Sequence, residues 1–179
     1  MEIQELKFDS VDRYTQVPIA FEVGERFFIG GDVTAINVPW VKDYDAYPGE
    51  GPRSYASWFD ISNWGILAAF EGSRILGGVM LAFRCPEFDL LDGRDDLVHI
   101  VDIRVVPESR STGIGRRLWE AAEAWSRARG ATTLRVETQD INVPACRFYQ
   151  AMGCALVSCS SEAYGPEIDE LQLIWGKEL

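Results

Sequence analysis

The sequence predicts an α+β domain with a mixed, mostly antiparallel sheet, and three runs carry that prediction. Residues 65–70 and 75–83 are apolar segments split by the turn residues Glu71-Gly-Ser-Arg74, which reads as a β-hairpin. Residues 97–106 form a β-branched strand, a helix starts at Thr112 or Gly113 and runs to about Arg129, and residues 133–138 are a strand again. Strand, helix and strand make a βαβ unit, so its two strands should be parallel. A helix and the strand candidates 154–158 and 170–175 close the chain.

Residues 2–8 can form a first strand. Residues 10–63 are rich in aromatics of poor periodicity, among them Tyr14, Phe27, Trp40, Tyr55, Trp58 and Phe59. They predict one or two short helices with a long loop between them, and Tyr47-Pro-Gly-Glu-Gly-Pro-Arg53 carries loop punctuation. In the second hairpin strand, Gly77-Gly78 marks a bulge or a close backbone approach. Residues 85–96 are polar and turn-rich, hence a loop, and Pro107 ends the strand that follows.

The βαβ helix presents Ile114, Leu118, Ala121, Ala122, Trp125 and Ala128 at helical spacing, with Gly130 where a C-terminal cap belongs. Leu134 and Val136 share one face of the next strand. Asn142 is a good N-cap, and Pro144 falls in the first helical turn, where proline is tolerated. That helix carries Ala145, Phe148, Tyr149 and Met152 and ends at Gly153.

At 179 residues the chain fits a single domain, 1–179. Its 47% hydrophobic and 12% aromatic content argues for a packed core. The formal net charge of -11 repels phosphate backbones, which argues against nucleic acid as a partner, and attracts cations, although acidity also serves solubility. The four cysteines form no C-x-x-C pair and the chain has 1 histidine, so no metal site is expected. No secretory leader is evident, and no apolar run approaches the ~20 residues of a membrane span. A cytoplasmic protein with reduced thiols and no membrane association is the expectation. The aromatic surplus is compatible with a homodimer, which the sequence does not establish.

The most informative stretch is Val106-Pro-Glu-Ser-Arg110-Ser-Thr-Gly113-Ile-Gly115-Arg-Arg-Leu118, between a strand end and a helix start. Amides at a helix N-terminus lack intrahelical acceptors and sit at the positive end of the dipole, so a pyrophosphate fits there. Gly113 and Gly115 allow close backbone approach, and Arg110 and Arg116 can add charge-assisted bonds. No G-K-[ST] follows, which excludes a P-loop. Leu118 occupies the third glycine position of a dinucleotide fingerprint.

The run Arg110-Ser-Thr-Gly113-Ile-Gly115 resembles the acetyl-coenzyme A signature of the GNAT acetyltransferases, Arg/Gln-x-x-Gly-x-Gly/Ala. A second block, from Asn142 through Ala145 and Tyr149 to Gly153, is similar to the family's N-x-x-A-x-x-x-Y-x-x-x-G-F, with Cys154 in place of phenylalanine. Val-Glu-Thr-Gln139, Asn-Val-Pro-Ala-Cys-Arg-Phe-Tyr149, Asp102-Ile103 and Lys42-Asp-Tyr-Asp45 look like the streptothricin-acetyltransferase subgroup. The resemblance covers about residues 64–175. It implies central parallel strands that splay apart and acetyl-CoA as cosubstrate. Residues 64–175 would be the coenzyme-binding core and 10–63 the substrate side. It further implies that Arg110, Ser111, Thr112, Gly113, Ile114, Gly115 and Arg116 surround the pyrophosphate. Ile103 and Val105 would bond the pantetheine arm like an added strand.

Direct acetyl transfer needs a neutral amine, an acid for the departing thiolate and no protein nucleophile. The resemblance places Tyr149 beside the coenzyme sulfur, and a phenol of pKa about 10 can protonate a thiolate; the alternative is a core aromatic. Asp102, His99 and Glu137 contend for the base. Asp102, in an apolar strand, reads as an ammonium anchor or water-relay base, or as half of a structural salt bridge. In regular pairing it shares a face with Ile100 and Arg104, while His99, Val101, Ile103 and Val105 share the other, an assignment that a bulge would shift. Asn142 caps its helix and is a candidate contact to the coenzyme arm. Cys146 has no histidine nearby in sequence to activate it.

The leading expectation is acetylation of a primary amine on a small cationic molecule, a streptothricin-like antibiotic among them. The alternatives are a protein N-terminal or lysine acetyltransferase and a non-catalytic acyl-CoA sensor.

Overall fold

The computed structural model describes residues 1–47 and 51–179, in two compact units. Unit 1 comprises Met1–Ile19, Tyr44–Leu134 and Glu178–Leu179; unit 2 comprises Ala20–Asp43 and Arg135–Lys177. The fold class is the expected α+β, with a mixed, mostly antiparallel sheet.

In unit 1, strands β1 (Glu2–Leu6), β4 (Gly65–Glu71), β5 (Arg74–Phe83) and β6 (Leu97–Val105) lie antiparallel in that order. Successive strand residues point to opposite faces, so each face needs its own cover. Helix α3 (Ile114–Ala128) packs against β4, β5 and β6. Its Leu118 and Trp119 are essentially fully buried, which for Leu118 contributes about 1.5–3 kcal/mol. The buried stripe differs from the expected one at three apolar positions. Ala128 is exposed and Ala121 only half-buried, whereas Trp119 is buried and donates its indole N–H to Glu123 Oε1 at 2.7 Å. That i,i+4 bond satisfies a polar atom that burial would otherwise leave costly.

On the other face, Tyr14 of helix α1 (Val11–Tyr14) joins Trp64, Ile66, Met80, Ala82 and Leu97 in a buried cluster. Tyr55 of helix α2 (Tyr55–Trp58), with Phe59 and Phe88, packs around it; the Phe59 and Trp64 rings are stacked at 5.6 Å. Gly77 and Gly78 make the expected close approach. A Cβ at 78 would stand 2.6 Å from the Tyr14 ring, and one at 77 would stand 2.6 Å from the Arg104 carbonyl.

In unit 2, β2 (Phe21–Phe27) and β3 (Val33–Lys42) form an antiparallel hairpin. This corrects the expected long loop between short helices. Gly24 and Pro39 lie inside the two strands, the register shifts between Val23 and Glu25, and β3 is largely exposed, so period-2 alternation is weak. Of the loop expected at 47–53, residues 48–50 lie outside the described residues. The remaining strands, β7 (Thr133–Gln139), β9 (Gln172–Glu178) and β8 (Ala155–Ser160), are neighbours in that order, with β8 antiparallel to β9. Helix α4 (Val143–Ala151) contacts β2, and Phe27 meets Trp175 edge-on at 5.8 Å. Among the described residues no helix is long and apolar enough to cross a membrane.

Candidate active site

Strand β6 carries a bulge at Val101: Met80 pairs with Asp102, but the next residue, Leu81, pairs with Ile100. One extra residue flips the side-chain alternation. Asp102 therefore shares its face with Arg104 and, through the Ala82 pairing, with His99, while Ile100 and Ile103 face α3. This replaces the regular alternation expected from sequence, which put Ile100 beside Asp102. His99 is buried, with its ring 5.6 Å from that of Phe88.

After β6 the chain turns at Pro107–Ser109, where Ser109 N–H donates to Val106 O at 2.9 Å. Arg110 Nε donates to Val105 O at 3.1 Å, and Thr112 Oγ1 donates to Ser109 O at 2.7 Å, which holds the turn's shape. Ser111 has φ 62° and Gly113, the N-cap of α3, has φ 92°. Among the described residues, the amides of Ser111, Thr112, Gly113, Ile114 and Gly115 donate to no backbone acceptor. Beyond its two chain neighbours, no atom lies within 4 Å of where a Cβ on Gly113 would stand. The result is an open, amide-lined cradle at the positive end of a 15-residue helix, with exposed Arg110 and Arg116 at its rim. It suits a phosphate-bearing ligand. Of the expected pantetheine contacts, Ile103 and Val105 are half-buried opposite Val79 and Gly77.

Behind the bulge lies a buried charge cluster. Arg104 Nε donates to Asp102 Oδ1 at 2.9 Å, and Arg104 Nη2 donates to Asp102 Oδ2. The far edge of the guanidinium meets Asp45, Nη1 to Oδ2 at 2.9 Å and Nη2 to Oδ1 at 3.3 Å, and Nη1 also donates to Val17 O at 2.9 Å. All five guanidinium N–H donors are thereby used. Tyr14 donates its hydroxyl to Asp102 Oδ1 at 2.6 Å, and Arg104 Cζ lies 5.1 Å from the Tyr14 ring centroid. Burial, followed by the Asp102 charge, pushes the Tyr14 phenol well above its usual range. Burial pulls the Arg104 guanidinium down, but Asp102, Tyr14 and Asp45 outweigh it and leave the group raised, firmly cationic. Both oxygens of Asp102 are committed, an arrangement that favours the salt-bridge reading over a free base. Tyr14 and Asp45 were not among the candidates drawn from sequence. Asp45 had a signal in the Lys42–Asp45 run; Tyr14, 88 positions from Asp102, had none.

Unit 2 holds the remaining candidates. Tyr149 is buried on α4, its ring 5.6 Å from that of Phe148. Asn142 caps the helix, its Oδ1 accepting from Ala145 N–H at 3.2 Å. Cys146 is fully buried, and burial, with Asp140's charge, pushes its thiol up to about 12, so it stays protonated at neutral pH. Glu137 Oε1 accepts from the Tyr164 hydroxyl at 2.6 Å. Asp140, fully buried and absent from the sequence candidates, pairs with Arg26 at 3.2 Å and accepts from Leu171 N–H at 2.9 Å.

Comparison with known proteins bears on these features. The acetyltransferase (GNAT) family profile matches residues 35–154. The chain is 42% identical over 65 residues to a streptothricin acetyltransferase of Streptomyces lavendulae, a match covering 36% of this chain and 34% of that protein. It is 32% identical over 78 residues to streptothricin acetyltransferase A of Bacillus subtilis (strain 168), covering 42% and 45%. The matches thus span between about a third and less than half of these relatives' length. Among solved structures, a nourseothricin acetyltransferase superposes with a TM-score of 0.76 at 20% identity, over 99% of this chain and 97% of that one. A candidate streptothricin acetyltransferase from Bacillus anthracis str. Ames, in complex with acetyl coenzyme A, gives a TM-score of 0.76 at 22% identity, over 99% of both chains.

Proposed function

The chain belongs to the acetyltransferase (GNAT) family, and from that premise we propose that it transfers an acetyl group from acetyl-CoA to a primary amine of a small cationic molecule, a streptothricin-like antibiotic. The observation that carries this reading is the amide-lined cradle between β6 and α3, built from the residues of the coenzyme signature. Its donors fit the pyrophosphate of the coenzyme, and the opening above Gly113 leaves room for it. The names of the matched streptothricin acetyltransferases support the acceptor class, as does the net charge of -11.

Bound acetyl-CoA supplies an activated thioester acyl group. In this reading the amides of residues 111–115, with Arg110 and Arg116, hold the pyrophosphate, and backbone groups of Ile103 and Val105 hold the pantetheine arm. Tyr149 keeps its hydroxyl proton for the departing thiolate. Asp102, committed to Arg104 and Tyr14, serves the site as part of a fixed anionic cluster. The Cys146 thiol stays protonated and takes no part.

The test is free-thiol release from acetyl-CoA with a panel of streptothricin, spermidine, amino acids and basic peptides. Saturable release with streptothricin, weakened by salt, is the expected result; release only with peptides would reassign the acceptor, and no coenzyme binding at all would overturn the reading. Tyr149→Phe should lower kcat by about 10²–10⁴ with folding unchanged. Full kcat in that variant removes the acid role.

A further inference from the structure

Resting on the proposed acetyl transfer and on Tyr149 as its acid, we infer that Asp140 is a positioning residue for Tyr149, acting through the start of α4. Asp140 lies just before Asn142, the N-cap of α4, and joins separate segments of unit 2. Its Oδ1 accepts from Leu171 N–H at 2.9 Å, and its own N–H donates to Leu171 O at 3.0 Å. Its carbonyl accepts from Phe27 N–H at 2.8 Å, and its Oδ2 lies 3.2 Å from Arg26 Nη1. Strand β2 thus meets the approach to α4 with a main-chain bond and a charge. The same guanidinium donates through Nη2 to Asp169 O at 2.6 Å, so one arginine ties β2, Asp140 and the segment before β9 together. The other charge pair between α4 and β2, Arg147 with Glu25 at 3.8 Å, is exposed and weak by comparison.

A carboxylate is a poor choice for a staple that serves stability alone. Asp140 is fully buried, and its Oδ2 has the Arg26 charge beside it but no aligned hydrogen-bond donor among the described residues. Burial holds its carboxyl above the usual range; the Leu171 N–H and Arg26 oppose that rise, and Glu170 and Asp169 add to it. A carboxyl raised in the folded state favours folding below its ordinary pKa, and that contribution is lost as pH rises through the folded value. At pH 8 the charge is therefore a net cost to the fold. What it supplies is direction, because it draws the 139–142 turn onto Arg26. Helix α4 is only 9 residues long, starts at that turn and carries Tyr149, so a displaced start displaces the hydroxyl. A misplacement of about 1 Å in a reacting group costs about 10²-fold in rate.

The experiment measures kcat, the KM of acetyl-CoA and urea unfolding at pH 8. It compares wild type with Asp140→Asn, Arg26→Met, Arg26→Lys, Tyr149→Phe and the double variant of Asp140→Asn with Tyr149→Phe. Asparagine keeps an acceptor for Leu171 N–H but sets its own N–H donors against the guanidinium, so the turn moves off Arg26. Asp140→Asn should lower kcat about 10–100-fold with the KM of acetyl-CoA nearly unchanged and stability not reduced. Arg26→Met should lower kcat alike, and Arg26→Lys, which keeps the charge, should restore most of it. In the Tyr149→Phe background Asp140→Asn should cost nothing further, because a positioning residue has no effect once the group it positions is gone. An unchanged kcat in Asp140→Asn overturns the inference. So does a stability loss that accounts for the fall in kcat, or an equal fall with and without the Tyr149 hydroxyl. If wild type releases no thiol, the acetyl-transfer reading fails by itself, and the NMR resonances of the Tyr149 ring decide the rest. Moved by Asp140→Asn, they support the link between the two residues; unmoved, they overturn it.

Discussion

Two polar centres lie within a few residues of each other along β6 and its following turn, and they are built in opposite ways. The 107–113 turn is largely exposed, and its amides from Ser111 onward have no backbone acceptor among the described residues. The Asp102–Arg104–Asp45 cluster is largely buried and acts through one side chain whose every donor is used. Water satisfies exposed amides until an anion displaces it, so the turn can stand ready for a ligand at little cost in stability. A buried charge has no such recourse and is tolerable only when fully paired. The first region is therefore suited to bind, and the second to hold a shape and a charge in place.

The contrast between exposed and buried groups can be tested first where the expected effect is largest, at the cysteines of unit 2. A Cys146 thiol held at about 12, against the usual 9.0, has about a thousandfold less thiolate at pH 8, so a thiol reagent should modify exposed Cys159 long before Cys146. The sign for stability follows. Below pH 9 the thiol is neutral in both states. Between about 9 and 12 only the unfolded chain ionises, so the stability from the buried thiol is lost as pH rises through that window. Urea melts at pH 8 and pH 10.5 of wild type and Cys146→Ser would reveal a steeper loss in wild type.

Next comes Arg104→Ala, which leaves the carboxylates of Asp102 and Asp45 without their cation and should cost about 3–5 kcal/mol in urea unfolding. A cost below 1 kcal/mol would mean that the cluster relaxes into water and is no fixed centre. Gly113→Val attacks the opposite region. A β-branched residue at φ 92° meets no clash but carries about 1–3 kcal/mol of backbone strain, so the KM for acetyl-CoA should rise while the acceptor KM stays. Lost stability at an unchanged KM for acetyl-CoA would break the comparison. The smallest effect is expected for Arg116→Ala at the exposed rim, about 0.2–1 kcal/mol in acetyl-CoA binding and less at high salt.

Much of the scaffold was legible because its signals are local. The hairpin of β4 and β5, the strand β6, the Gly113 start of α3 and the Asn142 cap of α4 each follow from apolar runs, turn residues or capping chemistry within a few positions. The β2–β3 hairpin was not legible, because an exposed strand interrupted by Pro39 has neither alternation nor a buried face to reveal it. Trp119 lay outside the stripe drawn from periodicity, which does not weigh the bond from its indole N–H to Glu123 that satisfies it when buried.

The coenzyme signature is contiguous, residues 110–115, because a helix N-terminus is a local object: the same few residues make the turn, free the amides and set the dipole. The sequence by itself thus determined the cradle, the fold class and the family. Only the tertiary structure decided the partners of Asp102. One extra residue at Val101 put it on the face of His99 instead of Ile100, and folding brought Val17 and Asp45 to the Arg104 guanidinium and Tyr14 to the Asp102 carboxylate, the last across 88 positions of chain. Whether a buried carboxylate is a base or half of an ion pair depends on what reaches it through space, and no spacing along the chain encodes that.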